Sequence, residues 1–120
     1  MSTNSTYVFP VSFAQQRLWF LDQLEPGSPF YNLPQVISIN GNLDVDALRR
    51  TFNGIVSRHE ALRTTFSPAP EGARQVIAKI LTIEVPVDDL TNLPSSERDL
   101  AVVKLAREEA RRPFDISIGP

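Results

Sequence analysis

Apolar residues between positions 48 and 62 repeat at alternating steps of four and three. The series is Leu48, Phe52, Ile55, His59 and Leu62. This spacing stacks side chains along one face of an α-helix. Asp44 is the predicted N-cap, because its carboxylate can accept a free backbone N–H of the first turn. A helix with a single apolar face gains most of its stability from the layer that covers that face, so the pattern predicts a packed fold.

Two further helices are predicted on either side of this one. The segment from Val11 to Leu24 has apolar residues at helical steps, and Ser12 with Gln15 has the spacing of a capping box. The third helix follows Pro94, with Ser96 and Asp99 at the same capping-box spacing. We expect it to end at Pro113, whose ring cannot continue a helical ladder.

Strands are predicted between the helices. Residues 35–40 alternate β-branched and polar side chains and end in a turn. Residues 64–67 and 73–80 are predicted as a pair joined by a Pro- and Gly-containing loop, and residues 83–87 as a further strand near an edge, because of Pro86. Helices interleaved with strands predict an α/β fold in which helices cover a mixed sheet.

Composition excludes several classes of function. Twelve basic and fourteen acidic residues leave a net charge of -2, which does not favour binding to nucleic acid. The chain has no cysteine, so disulfides, thiolate metal sites and a cysteine nucleophile are excluded. It shows neither a signal peptide nor an apolar run near the roughly 20 residues that span a membrane. We expect a soluble cytoplasmic protein without a membrane partner, whose residues 1–6 are frayed.

The most prominent cluster of side chains is SFAQQRLWFL at 12–21, an aromatic-rich helix start whose simplest interpretation is a packed core helix. A second cluster is RHEALRTTF at 58–66, which contains the only histidine. His59 has the side chain suited to general-base work near pH 7, but its position on the apolar stripe favours a packed, hydrogen-bonded residue. Arg58, Glu60 and Arg63 form either a buried ionic network or a solvated helix end.

Motifs of other chemistries are absent. The sequence contains no HExxH, CxxC, GxxxxGK[ST] or GxGxxG, which disfavours zinc hydrolysis, nucleotide binding by a P-loop and a Rossmann cofactor. The adjacent Asp88 and Asp89 indicate a turn, since a metal site requires more ligands than two neighbouring carboxylates. From the residues alone, the chain is an α/β piece without a complete active site.

The two clusters together resemble a known family. SFAQQRLWFL is similar to the first core motif of nonribosomal peptide synthetase condensation domains, SxAQxRLWxL, and RHEALRTTF to the second, RHExLRTxF. The run RRPFDISIGP at 111–120 also resembles the family, so the likeness extends over residues 7–120. The motif residues carried over, all with structural roles, are Ser12, Gln15, Arg17, Leu18, Trp19, Arg58, His59, Glu60, Leu62, Arg63 and Phe66.

The resemblance implies a chloramphenicol-acetyltransferase-like fold of two α/β lobes, of which residues 7–120 form part of the N-terminal lobe. Such domains form an amide bond between two thioesters that donor and acceptor carrier domains present on phosphopantetheine arms. The family's active-site motif, HHxxxDG, does not occur in this chain. We therefore expect no catalytic residue, no metal and no directly bound cofactor here. The parent would be the enzyme, and this chain alone would be inactive.

Other interpretations remain open. The chain could be a carrier- or partner-binding module that has this fold without catalysis, or part of a related carrier-dependent acyltransferase or epimerase. Its 12–34 stretch is more similar to the subtype that accepts a D-configured donor, or to the dual epimerising subtype, than to the L-to-L subtype. Met1 close to the first motif suggests a domain that opens its polypeptide. Besides the rest of the domain, a second copy of the chain is a possible partner, because half a lobe would leave apolar faces uncovered.

Overall fold

A computed structural model describes residues 6–119 of the chain. The elements in order are β1 (Thr6–Pro10), α1 (Phe13–Leu24), α2 (Val45–Arg58), a short 3₁₀-helix (Glu60–Arg63), β2 (Thr64–Ala69), β3 (Gly72–Ala78) and α3 (Ser95–Arg111). Of the predicted frayed segment, residues 1–5 lie outside the described part, and Thr6 is already paired in β1. None of the helices between residues 6 and 119 has both the length and the hydrophobicity that a bilayer span requires.

The three strands of the described residues form one antiparallel sheet in the order β1-β3-β2, whereas the sequence predicted a mixed sheet. β2 and β3 make the predicted hairpin, in which Ala69 pairs with Gly72 across the turn. Gly72 has a φ of 121°, and a Cβ at this position would lie 3.0 Å from the side-chain amide of Gln16 in α1. The positive φ of this turn therefore favours glycine, and a Cβ would also require the end of the Gln16 side chain to move. The predicted strand 73–80 ends two residues early, at Ala78.

β1 was not predicted from the sequence. It pairs with the other edge of β3, with Val8 opposite Val76 and Pro10 opposite Arg74. A five-residue strand that ends in proline carries little alternation of its own. Its stability comes from a partner more than 60 residues away along the chain, which no local pattern reveals.

The buried core is small. It consists of Val56 on α2 together with Ala73 and Ile77 on β3. The predicted apolar stripe of α2 does not face this core, since Phe52 and Ile55 each remain 41% exposed. The inward face is instead made by Arg49, Asn53 and Val56, at steps of four and three.

The prediction of a packed His59 is wrong. α2 ends at Arg58, and His59 takes an extended conformation (φ -114°, ψ 104°) as its C-cap, with an exposed side chain. A 3₁₀-helix from Glu60 to Arg63 then leads into β2. The apolar repeat extends across this break, which explains why periodicity alone predicted one continuous helix.

The predicted strands 35–40 and 83–87 are not strands in this structure. Both segments are irregular, and Val36 and Ile37 are 77% and 76% exposed. β-branched alternation favours a pleated surface, but a strand also requires a neighbour, and no other described residue pairs with either segment.

An asparagine side chain binds the second of these segments to α2. The Asn53 amide donates to the Ile83 carbonyl at 3.1 Å, and its carbonyl oxygen accepts the Ile83 N–H at 2.8 Å. Two paired residues of an antiparallel sheet exchange two N–H···O hydrogen bonds through their backbones. Here the Asn53 side chain takes the place of one of those backbones. Asn53 Nδ2 also donates to the Arg49 carbonyl one turn earlier, at 3.0 Å.

Two of the three predicted caps are confirmed. Ser12 and Gln15 form a complete capping box on α1, and the Asp44 carboxylate accepts the Ala47 N–H at 2.8 Å. The predicted box of Ser96 and Asp99 is wrong. α3 begins at Ser95 after Pro94, which has no side-chain donor or acceptor, so Ser96 already lies inside the first turn.

The described chain exposes far more surface than a self-contained domain. Its accessible area is 10084 Å², whereas a folded monomer of 120 residues exposes about 6,500 Å². Its radius of gyration is 17.7 Å, compared with about 14 Å for a compact domain of this length. Phe13, Leu33 and Phe30 are among the most exposed apolar side chains. Such faces are typical of surfaces that a larger assembly covers.

We predict that Asn53→Leu frees the Ile83 amide. The leucine side chain cannot accept its hydrogen bond, so the hydrogen-exchange rate of this amide should rise about tenfold, the effect of losing roughly 1.4 kcal/mol. Asn53→Asp is the matched variant, because it keeps an acceptor for the Ile83 N–H but replaces the donors with a carboxylate oxygen that faces the Ile83 and Arg49 carbonyls. An Ile83 exchange rate in Asn53→Leu equal to that of the wild type would show that Asn53 does not hold this segment.

We also predict that the isolated 120-residue chain self-associates through its uncovered apolar faces. Sedimentation velocity across a concentration series should show oligomers that grow with concentration. Binding of the dye ANS should report exposed apolar surface. A strictly monomeric sample with a sharp cooperative melt would contradict this prediction.

Candidate functional site

A first cavity, of about 610 Å³, lies between α1, the loop that follows α1, and the segment that follows α3. Leu18 and Trp19 of the first motif form one wall. Phe66, the last residue of the second motif, and Phe114 form another. A second cavity, of about 620 Å³, borders the first and shares Trp19, Phe66 and Phe114 with it. Three stretches far apart in sequence therefore meet at one apolar site.

The polar residues in the lining of the first cavity include Gln15, Ser28, Asn32 and two carboxylates, Asp22 and Glu25. None of its lining residues is a histidine, lysine or arginine. A general base that works near neutral pH is therefore missing from this lining, and so is a cation that could meet a developing oxyanion. The cavity is suited to packing apolar groups rather than to moving a proton.

The first motif attaches α1 to the sheet. Ser12 N–H donates to the Gln15 side chain at 2.8 Å, and Gln15 N–H donates to the Ser12 hydroxyl at 3.2 Å. Gln15 Nε2 also donates to the Gln75 side chain on β3 at 3.4 Å, and Gln75 Nε2 donates to the Pro10 carbonyl at 2.8 Å. This chain of bonds links α1, β3 and β1. Arg17 is exposed on the outer side of the helix.

The second motif connects the 3₁₀-helix to the end of β3 through Arg63. The side chain of Arg63 is 10% exposed, and its guanidinium donates to the Ala78 carbonyl and to the Glu60 carboxylate, the latter at 3.4 Å. The Thr64 hydroxyl donates to the Glu60 carbonyl at 2.7 Å. The sequence allowed either a buried ionic network or a solvated helix end. The structure shows a single half-exposed pair of Arg63 with Glu60, while Arg58 is exposed at the end of α2.

Several predicted motif residues do not reach the cavity. Arg58, His59 and Glu60 are exposed at the junction of α2 and the 3₁₀-helix, and Leu62 is half-exposed beside them. None of these four side chains lines either cavity. No cluster of three or more His, Asp or Glu side chains that could hold a metal ion occurs among residues 6–119.

The segment after α3 completes the site. Phe66 N–H donates to the Ile116 carbonyl at 2.8 Å, so this segment runs along the free edge of β2. Asp115 closes a turn there, because its carboxylate accepts the Ser117 hydroxyl at 2.5 Å and the Ser117 N–H at 2.9 Å. These bonds, with that of the hydroxyl first, lower the pKa of Asp115 below its ordinary value.

The roles of Phe30, Asn32 and Phe114 in this site were not predicted. Phe30 packs edge-on against Tyr31, with ring centroids 5.1 Å apart, and both line the first cavity. One signal in the sequence was that Phe30 and Asn32 lie between Pro29 and Pro34, in a loop whose course two prolines restrict.

A turn was predicted at the adjacent carboxylates Asp88 and Asp89; in the structure it lies just after them, at Thr91 and Asn92, where the Leu93 N–H donates to the Leu90 carbonyl at 3.1 Å. The Asp89 carboxylate accepts the Thr91 hydroxyl at 2.7 Å and the Thr91 N–H at 2.9 Å. These two bonds, with that of the hydroxyl first, lower the pKa of Asp89 below its ordinary value. The turn lies apart from both cavities, since neither aspartate lines them.

Curated relatives of this chain are peptide synthetases. A linear gramicidin synthase of Brevibacillus parabrevis is 46% identical over 111 residues, which are 92% of this chain and 1% of that protein. Phosphinothricin tripeptide synthetase PhsC of Streptomyces viridochromogenes is 48% identical over 112 residues, 92% of this chain and 10% of the relative. The chain thus spans a small part of the proteins that it matches.

Solved structures show the same fold. The starter condensation domain of rhizomide synthetase RzmA superimposes with a TM-score of 0.81 at 27% identity, over 95% of this chain and 28% of that one. The four-domain nonribosomal peptide synthetase AB3403 gives a TM-score of 0.70 at 19% identity, over 100% of this chain and 9% of its own. These matches confirm the predicted α/β class with a chloramphenicol-acetyltransferase-like fold.

The family itself follows from a match along nearly the whole sequence. The sequence model of the condensation domain matches residues 5–120. Both motifs and the cavity that they line lie within this range. This chain therefore belongs to the condensation domain family of nonribosomal peptide synthesis.

Proposed function

We propose that this chain is the N-terminal part of a condensation domain that joins a donor acyl or peptidyl thioester to the amine of an acceptor aminoacyl thioester. The family match over residues 5–120 is the observation that carries this proposal. In the reaction, the acceptor amine attacks the thioester carbonyl, an amide C–N bond forms, and the donor thiol leaves. The attacking nitrogen must lose a proton, and the tetrahedral oxyanion must be stabilised.

The residues of this chain serve as scaffold in that reaction. Ser12 and Gln15 fix α1 on the sheet, and Arg63 fixes the start of β2 against the end of β3. His59 is exposed at the end of α2 and lines neither cavity, so it is badly placed to take the proton. We assign proton transfer to the HHxxxDG motif, which the family carries and this sequence lacks.

The proposed partners are a donor and an acceptor carrier domain, each with a phosphopantetheine arm, and the rest of the condensation domain. A variant of the RzmA starter domain was solved in complex with C8-CoA, an acyl thioester with such an arm. The first cavity of this chain is a poor fit for the arm, since its lining carries the carboxylates Asp22 and Glu25 and no basic side chain that could meet the phosphate. We therefore do not assign an arm-binding site to this cavity. A cytoplasmic location, consistent with the cysteine-free sequence, belongs to the same proposal.

We predict that amide formation requires the parent domain through its HHxxxDG motif. The complete domain, supplied with two loaded carrier domains, should yield a condensed product by mass spectrometry of the acceptor carrier. The 120-residue chain alone should yield none. Replacement of the second histidine of HHxxxDG by alanine should abolish product, because the group that handles the proton is lost. Product from the 120-residue chain alone would contradict the proposal, and a folded, inactive complete domain would favour a binding module.

We further predict that His59→Gln in the complete domain leaves the rate of amide formation within about twofold of wild type, as expected of an exposed residue outside the site. The same preparation should keep the wild-type melting temperature. Complete loss of product with an unchanged melting temperature would show that His59 takes part in the chemistry.

A further inference from the structure

The C-terminal end of α3 is capped from a distant part of the chain. The last carbonyl groups of a helix have no donor within the helix, and Pro113 supplies none because it lacks an N–H. Asn32 Nδ2 donates to the Ala110 carbonyl at 3.2 Å and to the Arg112 carbonyl at 2.9 Å. A single side chain from the loop after α1 thus satisfies two of these carbonyls, across a separation of 80 residues from Arg112.

The loop that carries Asn32 is itself held in place. Asn32 N–H donates to the Pro29 carbonyl at 2.9 Å, which closes a turn. The neighbouring rings of Phe30 and Tyr31 pack edge-to-face at an interplanar angle of 83°. Asn32 is partly buried and lines the first cavity together with both rings. Its amide is therefore presented to α3 by an ordered turn.

Two contacts then define the path of the chain after α3. Asn32 holds its start at Ala110 and Arg112, and the Phe66 N–H holds it at Ile116 on the edge of β2. Between these points, Phe114 lines the same cavity as Phe30. A segment held at both ends over so few residues has little freedom in the direction in which it leaves.

We propose that Asn32 is a positioning residue that sets the direction of the segment from Pro113 to Ile116 and so of the chain that follows it. This inference rests on the proposed function, in which the following chain carries the histidine motif. Asn32 touches no substrate in this role. It acts through backbone carbonyls, by holding the support from which the catalytic segment extends.

The test uses the complete parent domain with three variants. Asn32→Asp has nearly the same shape, but it replaces the donating NH₂ with a carboxylate oxygen that faces two carbonyls and the negative end of α3. Asn32→Gln keeps an NH₂ donor on a longer side chain. Asn92→Asp is the control, because it makes the same charge change at an exposed residue that lines neither cavity.

Hydrogen exchange at the Phe66 amide reports the position of the segment without reference to catalysis. We expect about tenfold faster exchange in Asn32→Asp, the effect of one hydrogen bond lost, partial recovery in Asn32→Gln, and the wild-type rate in Asn92→Asp. Unchanged exchange in Asn32→Asp would overturn the proposal.

Kinetics of amide formation test the consequence for the reaction. We expect kcat to fall about tenfold or more in Asn32→Asp while KM for the loaded acceptor carrier stays within about twofold, since the reacting groups are misaligned and carrier docking is intact. Asn32→Gln should regain part of kcat. Faster Phe66 exchange with a wild-type kcat would overturn the positioning role. If the wild-type domain forms no amide, the proposed function fails, and Phe66 exchange alone then decides whether Asn32 holds the segment.

Discussion

The pairing of β3 with both of its neighbours is the interaction on which the rest of this structure depends. β3 joins β1 on one side and β2 on the other, although these two strands are distant in sequence. It supplies Ala73 and Ile77 to the core. It also receives α1 through Gln75 and the 3₁₀-helix through the carbonyl of Ala78. The capped first helix and Arg63 of the second motif are therefore both attached to this strand.

The surface of the chain is consistent with a part of a domain rather than a whole one. The apolar stripe of α2 faces outward at Phe52 and Ile55, and the β-branched run from Val36 to Ile39 is exposed. Such faces cost free energy in water, at about 25 cal/mol for each Å² of apolar area. They are explained if other segments of the same domain cover them. This agrees with the match to the RzmA starter domain, of which this chain covers 28%.

Features with local causes could be predicted from the sequence, and features with distant causes could not. The Ser12–Gln15 box, the Asp44 cap and the β2–β3 hairpin each depend on residues close together in the chain. β1 and the contacts of Asn32 depend on partners roughly 60 to 80 residues away, which a local pattern does not reveal. The apolar series from Leu48 to Leu62 predicted the wrong buried face of α2 and a packed His59. Apolar spacing shows that a helix has an apolar face, but it does not show whether the rest of this chain covers that face. For the site, the two motifs identified the family and contain two of the residues that line the cavity, Trp19 and Phe66. The positions of Phe30, Asn32 and Phe114 in the site emerged only from the fold.

The central claim is that these residues are scaffold whose apolar faces are completed by other parts of one domain. Comparison of hydrogen exchange at the Val36, Ile37 and Ile39 amides between the isolated chain and the complete parent domain tests it most directly. We expect fast exchange in the isolated chain, where this run is irregular, and strong protection in the complete domain, where a strand partner covers it. Fast exchange of these amides in a folded, complete domain would contradict the claim.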